Sequence, residues 1–525
     1  AFNLGVGFMA SPHSYGRVWF PCIDDFREKA TYDFKIKVKN SNIAVCNGTL
    51  IDTYCSGNNT TTYHWRIKTP IPAYLASVAI GKYSIISDTY NGINNNIPIK
   101  LYVRPSDSIN AINSFTNLKN ILNIFETCFG PYEWERIGYV GVPFSNGAME
   151  HATNIAYPNA CIDGTLNYEA LLAHELSHHW FGNLITCETE ADMWINEGWA
   201  TYCESLYKEK LYGKNNYKNH VRARHKDVLQ NAHIIDGSYL SLYGIPHNYT
   251  YGTTVYDKGA DVVHTLRYYL GDSLFFNSIT TLLNKYPYTN ISTIQLRDSL
   301  SALTNINLND FFDAWVFNPG FPHFSIDSMQ ISPNVNGATC KVYIRQKLKG
   351  TNTFANNNKI EITFFDNNWN IFTDYVFVSG QNDMNICNVP FIPEFAILDL
   401  EEKVSDATVD NYKIIKNTGT YTYTDTYFIL EVSQIYDSAF VRVENSWVAP
   451  DPFKTPHSGI VLSNHRYWKI DGIFPNNFIA KGKFYYSKLN NLDNQLIINN
   501  TNIDSLMILY RKNTNDDWHF IPFTR

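Results

Sequence analysis

The sequence predicts a multidomain α+β protein in which a helical central region lies between two regions rich in strands. Two observations support this fold class. The chain has 525 residues, which is too long for a single hydrophobic core. Its hydrophobic spacing also changes twice, from alternation to a helical repeat near residue 105 and back to alternation near residue 320.

The first region, residues 1–103, is predicted to be a β domain. Residues 32–39 (YDFKIKVK) and 97–103 alternate between apolar and polar side chains. Successive side chains of a strand point to opposite faces, so this alternation indicates strands with one buried face. Clusters of turn-forming residues separate these runs, as strands in a sheet require.

The central region, residues 104–320, carries apolar residues at helical spacing. The predicted helices cover residues 109–129, 165–181, 190–212, 254–270, 273–286 and 308–316. The region ends at residues 318–322 (NPGFP), because proline and glycine in succession break regular structure.

After this break the alternation returns. Predicted strands include residues 324–331, 340–346, 360–365, 395–400, 427–432, 439–443 and 506–510. We interpret residues 321–403 as a β-sandwich domain and residues 404–525 as a further C-terminal β module.

Composition excludes several classes of protein. The formal net charge of −7 argues against binding to nucleic acid or to an anionic membrane surface. No run of 18 apolar residues is present, so no transmembrane segment is expected. The nine cysteines have no metal-binding spacing. Cys46 and Cys55 either bridge a hairpin or remain free thiols.

A zinc motif occurs in residues 172–181 (LAHELSHHWF). His174 and His178 are four residues apart, so on a helix they share one face. Two imidazoles in that arrangement can ligate one Zn²⁺. Glu175 lies beside the metal without being on the ligand face, where a carboxylate can act as a general base. Alone, the HExxH pattern is equally compatible with a solvated surface helix.

A second segment favours the catalytic interpretation. Glu197, in residues 194–201 (WINEGWAT), lies 19 positions after His178 on a second predicted helix. A carboxylate there completes three protein ligands and leaves a fourth position open, as in catalytic zinc sites. Glu204 is two helical turns further along. It either hydrogen-bonds a ligand histidine or is a solvated helix residue.

These motifs, with others in the same order, resemble the M1 family (gluzincin) of zinc aminopeptidases. HELSHHWFGNLIT followed by WINEGWATY is similar to the zinc-binding region of that family. Gly147-Ala148-Met149-Glu150 resembles its GxMEN strand, and residues 256–260 (YDKGA) resemble the start of the helix carrying its catalytic tyrosine. Residues 17–24 (RVWFPCID) resemble a motif of its N-terminal domain. The resemblance covers roughly residues 1–320.

The resemblance implies a saddle-type N-terminal β domain and a thermolysin-like α/β catalytic domain. It implies one zinc ion per chain, held by His174, His178 and Glu197, with Glu175 as the catalytic base. Tyr256 is then expected to donate a hydrogen bond to the developing oxyanion. Glu150 is expected to bind the free α-amine of the substrate, with Gly147, Ala148 and Met149 along the substrate backbone.

The chain departs from the family pattern at two places. His151 stands where the family has asparagine. Residues 10–16 (ASPHSYG) contain neither the glutamine nor the glutamate that many relatives use as a second amine anchor. We therefore expect Glu150 to hold the amine almost alone. The N-terminal domain is short for the family, and we expect it to be incomplete.

The predicted function is that of a zinc aminopeptidase acting on peptides with a free N-terminal amine. Three alternatives remain open: a thermolysin-like zinc endopeptidase, an epoxide hydrolase with residual peptidase activity, and a binding protein with an inactive catalytic domain. The C-terminal β modules favour a secreted or cell-envelope location, with a cytoplasmic location as the alternative.

Overall fold

The computed structural model describes residues 13–55, 57–145, 147–487, 492–493 and 506–524. These residues form two compact units. The first contains the described residues up to Tyr217, together with Leu242–Val263 and Leu270–Leu308. The second contains Lys218–Ser241, His264–Tyr269 and the described residues from Asn309 onwards. Each unit is therefore assembled from separate parts of the chain.

Eleven strands belong to the first unit. They are β1 (Lys29–Lys39), β2 (Ile43–Cys46), β3 (Thr49–Cys55), β4 (Thr60–Pro72), β5 (Val78–Gly81), β6 (Ser84–Asn91), β7 (Asn96–Val103), β8 (Ile137–Val142), β9 (Ile155–Pro158), β10 (Ile185–Cys187) and β11 (Thr289–Ile291).

These strands form four sheets. Strands β1, β4 and β3 are antiparallel neighbours, and β2 pairs with β5. A mixed four-stranded sheet has the order β6-β7-β8-β9, and β10 pairs in parallel with β11. The alternation in β1 buries Phe34 and Val38, as its sequence predicts. Strand β7 ends at the predicted boundary near residue 103, yet it pairs with β8 beyond that boundary.

The described α-helices are α1 (Gly16–Trp19), α2 (Ser108–Ser114), α3 (Leu118–Phe129), α4 (Glu169–Ser177), α5 (Trp194–Tyr212), α6 (Lys214–Asp227), α7 (His233–Ile235), α8 (Gly259–Leu270), α9 (Asp272–Lys285), α10 (Thr293–Thr304) and α11 (Asn309–Phe312). Three π-helical segments, Val228–Ala232, Thr254–Lys258 and Asp313–Phe317, adjoin helices.

The prediction of one helix over residues 109–129 was wrong in detail, because the structure has two helices there. Thr116 Oγ1 donates hydrogen bonds back to the carbonyls of Ile112 and Asn113 at the break. Asn117 Nδ2 donates a hydrogen bond of 2.6 Å to Glu169 Oε1. Threonine and asparagine side chains that bond in this way compete with the helical ladder, which explains the interruption.

The second unit is mainly β. Its strands are β12 (Phe321–Asn334), β13 (Gly337–Lys349), β14 (Asn358–Phe365), β15 (Ile371–Val378), β16 (Asn382–Val389), β17 (Phe395–Leu398), β18 (Thr408–Ile415), β19 (Gly419–Tyr423), β20 (Phe428–Gln434), β21 (Ala439–Ser446), β22 (Tyr467–Ile473), β23 (Ile479–Phe484), β24 (Leu509–Tyr510) and β25 (His519–Phe520).

These strands form four three-stranded antiparallel sheets and one two-stranded sheet. The sheet orders are β12-β13-β16, β15-β14-β17, β18-β21-β22, β19-β20-β23 and β24-β25. The return to strands after residue 320 is thus confirmed, with β12 beginning at Phe321. The strand predicted over residues 506–510 is shorter, because only Leu509 and Tyr510 pair.

All nine cysteines are free thiols. A hairpin bridge between Cys46 and Cys55 does not form, because the two residues belong to different pairings. Cys46 lies opposite Val78, whereas Cys55 lies opposite Thr61 at the far end of β3. Among the residues that the structure describes, no helix combines the length and apolar character needed to cross a membrane.

Candidate active site

Helix α4 and the residue that caps it bring His174 and His178 together. The helix ends at Ser177, earlier than predicted, but His178 keeps helical dihedral angles of φ −56° and ψ −24°. The two imidazoles therefore stay on one face, with their Nε2 atoms 3.1 Å apart. The positive φ of Gly182, +121°, then turns the chain away from the helix axis.

Glu197 reaches the same point from α5. It lies in the first turn of that helix, and its Oε2 is 3.4 Å from His174 Nε2 and 3.3 Å from His178 Nε2. All three side chains are buried. We call this set the His174–His178–Glu197 trio.

The hydrogen bonds of the two imidazoles fix which nitrogen faces the centre of the trio. His178 Nδ1 lies 2.9 Å from the carbonyl of Phe181. A carbonyl only accepts, so Nδ1 carries a proton and Nε2 is the nitrogen left to face a metal. His174 Nδ1 likewise donates to Glu204 Oε1 at 2.9 Å. Glu204 is therefore a hydrogen-bond partner of His174 and not simply a solvated helix residue.

The donor set of the trio fits a zinc ion. Two imidazole nitrogens and a carboxylate oxygen within 3.1–3.4 Å of one another are held together either by protons that they share or by a cation that lies between them. Donors at 2.0–2.1 Å from a tetrahedral centre are roughly 3.3–3.4 Å apart, which matches the observed spacing. Two nitrogens and one oxygen are also the ligand types that zinc accepts in catalytic sites.

Glu175 is buried beside the trio. Its Oε2 has no hydrogen-bond partner among the described residues. Burial raises the pKa of the Glu175 carboxyl to about 8, against the opposing charges of His174 and His178. A divalent cation in the trio lowers that pKa, because its positive charge favours the carboxylate. Glu175 is thus a buried carboxyl beside the donor atoms of the trio, and one of its oxygens has no hydrogen-bond partner among the described residues.

The pKa of the Glu197 carboxyl shifts downward, opposite to that of Glu175, although the two carboxyls share the same histidine neighbours. Burial alone disfavours its ionisation, but the charges of His178 and His174 lower the pKa of Glu197 to about 2. The carboxylate is therefore ionised at neutral pH, as a metal ligand must be.

Glu150 lies on the segment that the sequence predicted as a strand. Only Met149 forms a β-bridge there, opposite Ala156, so the segment is an isolated bridge rather than a regular strand. Asn183 Nδ2 donates to the Glu150 carbonyl at 2.9 Å and holds this segment in place. Burial raises the pKa of the Glu150 carboxyl, while the charge of His178 opposes that effect.

The residues before Glu150 leave space open. Gly147 has φ +72°, a conformation that favours glycine, and among the described residues no atom outside its chain neighbours lies within 4 Å of where its side chain would begin. Ala148 is partly buried, and Met149 is buried. His151, which replaces the family asparagine, is fully buried.

Tyr256 lies in the π-helical segment Thr254–Lys258, where the sequence predicted an α-helix start. Its ring stacks with that of His174, with centroids 6.1 Å apart and planes inclined by 10°. Burial, followed by the charge of Glu197, raises the pKa of the Tyr256 phenol well above its usual value. The phenol therefore keeps its proton at neutral pH and can donate a hydrogen bond.

His179 and Asn183 are residues whose contribution sequence reasoning missed. Burial lowers the pKa of His179 to about 3, and its neutral ring accepts a hydrogen bond from the backbone N–H of Thr153 at 3.0 Å. Together with the bond from Asn183, this contact attaches the Glu150 segment to the turn after α4. The motif HELSHHWFGN contains both residues. Their hydrogen-bond partners lie far away in the sequence, so these contacts could not be predicted from the motif.

Comparisons with known proteins identify the family of the chain. The family model described as "Peptidase family M1 domain" matches residues 113–315. The model described as "Peptidase M1 N-terminal domain" matches residues 11–75. The matched regions contain the trio, the candidate base and the segment carrying Glu150. The chain belongs to peptidase family M1.

Curated relatives are similar over part of their length. A protein named "Probable aminopeptidase 1" from Sulfurisphaera tokodaii is 24% identical over 348 residues, covering 63% of this chain and 42% of that protein. Glutamyl aminopeptidase from Bos taurus is 27% identical over 335 residues, covering 59% of this chain and 34% of that protein. The chain thus matches less than half of the length of these relatives.

Solved structures share the fold. Legionella pneumophila aminopeptidase A, solved with aspartic acid, aligns with a TM-score of 0.60 at 17% identity, over 72% of this chain and 44% of that chain. An M1 zinc metallopeptidase from Deinococcus radiodurans aligns with a TM-score of 0.53 at 21% identity, over 60% and 69% of the two chains.

Proposed function

We propose that this protein is a zinc-dependent aminopeptidase that releases N-terminal residues from peptides. The observation that carries the proposal is a second buried carboxyl, Glu150, whose charge interacts with the charges of the His174–His178–Glu197 trio and of the candidate base Glu175. A zinc peptidase needs the trio and the base. A carboxylate aimed at a substrate ammonium is an additional feature that selects a free N-terminus.

One zinc ion per chain would be held by the trio. When bound, zinc polarises a carbonyl and lowers the pKa of water, so that a nucleophile is available near neutral pH. The hydrogen bonds from His174 to Glu204 and from His178 to the Phe181 carbonyl would fix both rings in their ligating orientation.

Glu175 would move the proton in this reaction. Its free Oε2 can accept a proton from the attacking water and then pass that proton to the leaving amine. The same carboxyl thus acts first as base and then as acid. Removing such a group typically slows catalysis by about 10²–10⁴-fold.

Tyr256 would stabilise charge on the reacting carbonyl oxygen. Its stacked position against His174 brings the phenol to the side of the trio. A donor in that place acts most strongly when negative charge develops on the oxygen, which is worth roughly 2.7–4 kcal/mol.

Glu150 would bind the substrate ammonium, and the open space at Gly147 and Ala148 would admit substrate backbone beside Met149. An anionic side chain at this point attracts a charged amine and disfavours an internal peptide segment. This argues for an exopeptidase over a thermolysin-like endopeptidase. The named relatives are aminopeptidases, which also favours this reading over an epoxide hydrolase or a binding protein.

The test is selectivity for a free amine. We expect Glu150→Ala to lower kcat/KM on aminoacyl-naphthylamides by orders of magnitude, because breaking a buried charge pair costs about 2–5 kcal/mol. N-acetylated substrates lack the charge, so their hydrolysis should change little. The matched control is Glu188→Ala, a partly buried carboxylate of the same unit. If Glu150→Ala leaves the ratio of free to acetylated substrates intact, the amine site lies elsewhere.

The domain organisation remains a proposal. We place the N-terminal β domain in residues 1–103, the catalytic domain in 104–320, the β-sandwich in 321–403 and the C-terminal module in 404–525. A secreted or cell-envelope location is proposed from the C-terminal β modules, and fractionation of the source cells tests it.

A further inference from the structure

A second group of metal-binding side chains lies in the first unit. His13 precedes α1, Glu190 lies in the turn before α5, and His247 lies in the loop before Tyr256. Each offers one ligand atom, and these atoms lie within 4.8 Å of one another. We call this set the His13 cluster. None of its members belongs to the trio.

The two oxygens of the Glu190 carboxylate contact the two imidazoles. Oε2 is 3.4 Å from His13 Nε2, and Oε1 forms a hydrogen bond of 3.1 Å with His247 Nδ1. The first distance is long for an N–H···O hydrogen bond, which usually spans 2.7–3.2 Å. It equals the spacing of two donors around a tetrahedral ion, roughly 3.3–3.4 Å.

The ring arrangement supports the same conclusion. The two imidazoles are tilted by 30° with centroids 4.0 Å apart, and a nitrogen of each contacts the Glu190 carboxylate. His13 is 1% exposed, whereas Glu190 and His247 are partly exposed. A pocket with one buried and two partly exposed ligands has an entry path for an ion from solvent, which a usable metal site needs.

The donor types select the class of ion. Two imidazoles and one carboxylate suit zinc, cobalt or nickel, whereas calcium and magnesium prefer sites made only of oxygen ligands. Three protein ligands also leave a fourth position for water. Zinc is therefore the probe of choice.

We propose that His13, Glu190 and His247 form a second binding site for a divalent transition metal, separate from the trio. The bound ion would join three segments that are far apart in sequence. One of them includes Tyr251, whose ring meets that of His13 edge-on at 5.1 Å, and it leads directly to Tyr256. The site would thereby steady the loop that carries Tyr256, and it does not depend on the proposed peptidase activity.

The test is a count of zinc ions on the full chain. The protein is freed of metal, saturated with Zn²⁺, passed through a desalting column and analysed by inductively coupled plasma mass spectrometry. We expect His247→Ala to bind one zinc ion fewer per chain than the unmodified protein. His247 is partly exposed, so this change should leave the fold intact, which circular dichroism checks.

A matched control uses a histidine that also pairs with a carboxylate but lacks a third ligand. His64 Nε2 lies 2.6 Å from Asp33 Oδ1 on the surface of the same unit. His64→Ala should bind as many zinc ions as the unmodified protein. The readout is a difference between variants, so it holds whether or not the trio is occupied. Equal zinc counts for the unmodified protein and His247→Ala would overturn the proposal.

Discussion

At the scale of single residues, the hydrogen bond that one imidazole nitrogen donates determines which nitrogen is left to bind a metal. His174 donates its Nδ1 proton to Glu204, and this leaves Nε2 free to face Glu197 and His178. A carboxylate partner also makes the imidazole more basic and therefore a stronger ligand. In the proposed zinc site, Glu204 would therefore act on the metal through His174.

We expect Glu204→Ala to weaken zinc affinity by about 10–100-fold, the usual effect of losing such a partner. Competition with a fluorescent chelator measures this affinity. The control is Glu209→Ala, which changes a glutamate further along the same helix, α5. An unchanged affinity in Glu204→Ala would mean that the hydrogen bond to His174 does not support the site.

The trio could be predicted from the sequence because the spacing of its members along the chain is characteristic of zinc ligands. His174 and His178 are four residues apart, and Glu197 falls in a recognisable segment of the next helix. The His13 cluster could not be predicted, because residues 13, 190 and 247 share no local pattern. Its members meet only through the tertiary fold. The role of Glu204 was open for the same reason, since a helical glutamate points either to solvent or to a neighbour.

At the scale of elements, a contact between two glycines sets the distance between the helices that carry Glu197 and Tyr256. A side chain at Gly198 would begin 2.9 Å from the Cα of Gly259 and 3.1 Å from the carbonyl oxygen of Val255. A side chain at Gly259 would likewise begin 2.9 Å from the Cα of Gly198. These obstructing atoms are backbone, so they cannot move aside at low cost. The close approach therefore requires glycine at both positions.

We expect Gly198→Ala to push α5 away from the Thr254–Lys258 segment. Overpacking of this kind typically costs about 1–3 kcal/mol of stability. It should also lower kcat, because Glu197 and Tyr256 lie next to the contact on either side. Gly198→Ser, with one more heavy atom, should be worse in both respects. Thermal unfolding and kcat measure these effects, and a fully active, equally stable Gly198→Ala would contradict the account.

The boundaries of elements were harder to predict than their presence. The helix predicted over residues 165–181 extends only from Glu169 to Ser177, and turn residues follow it. The segment from Gly147 to Glu150 reads as a strand, yet only Met149 pairs. The π-helical turn at Tyr256 has no sequence signature. Such local distortions arise where packing around a site overrides regular spacing, and π-turns are often found at functional sites.

At the scale of the whole molecule, a buried hydrophobic cluster of the second unit is formed by residues from separate parts of the chain. Val228, Leu229 and Ala232 pack in a buried cluster with residues from beyond the predicted boundary at 403. Those later members are Ala407, Val409, Trp447, Val448 and Leu492. Trp447 is 0% exposed. Residues 404–525 therefore complete a core that begins with helical residues near position 230.

We expect a chain shortened to residues 1–403 to be less stable and more prone to aggregate than the full chain, because it exposes this core. Trp447→Ala in the full chain should act in the same direction, at a cost of about 3–5 kcal/mol. Tyr436→Ala, at a position 78% exposed, is the control. Thermal unfolding reports all three. A shortened chain that melts at the temperature of the full chain would show that residues 404–525 are independent.

The most direct test of the central claim is to follow the digestion of one peptide in two forms, with a free N-terminus and with an acetylated one. Mass spectrometry identifies the products of the zinc-loaded full chain. We predict stepwise loss of N-terminal residues from the free peptide and far slower cleavage of the acetylated one. Glu175→Gln should act about 10²–10⁴-fold more slowly. Internal fragments appearing from both peptides at similar rates would contradict the assignment of an aminopeptidase.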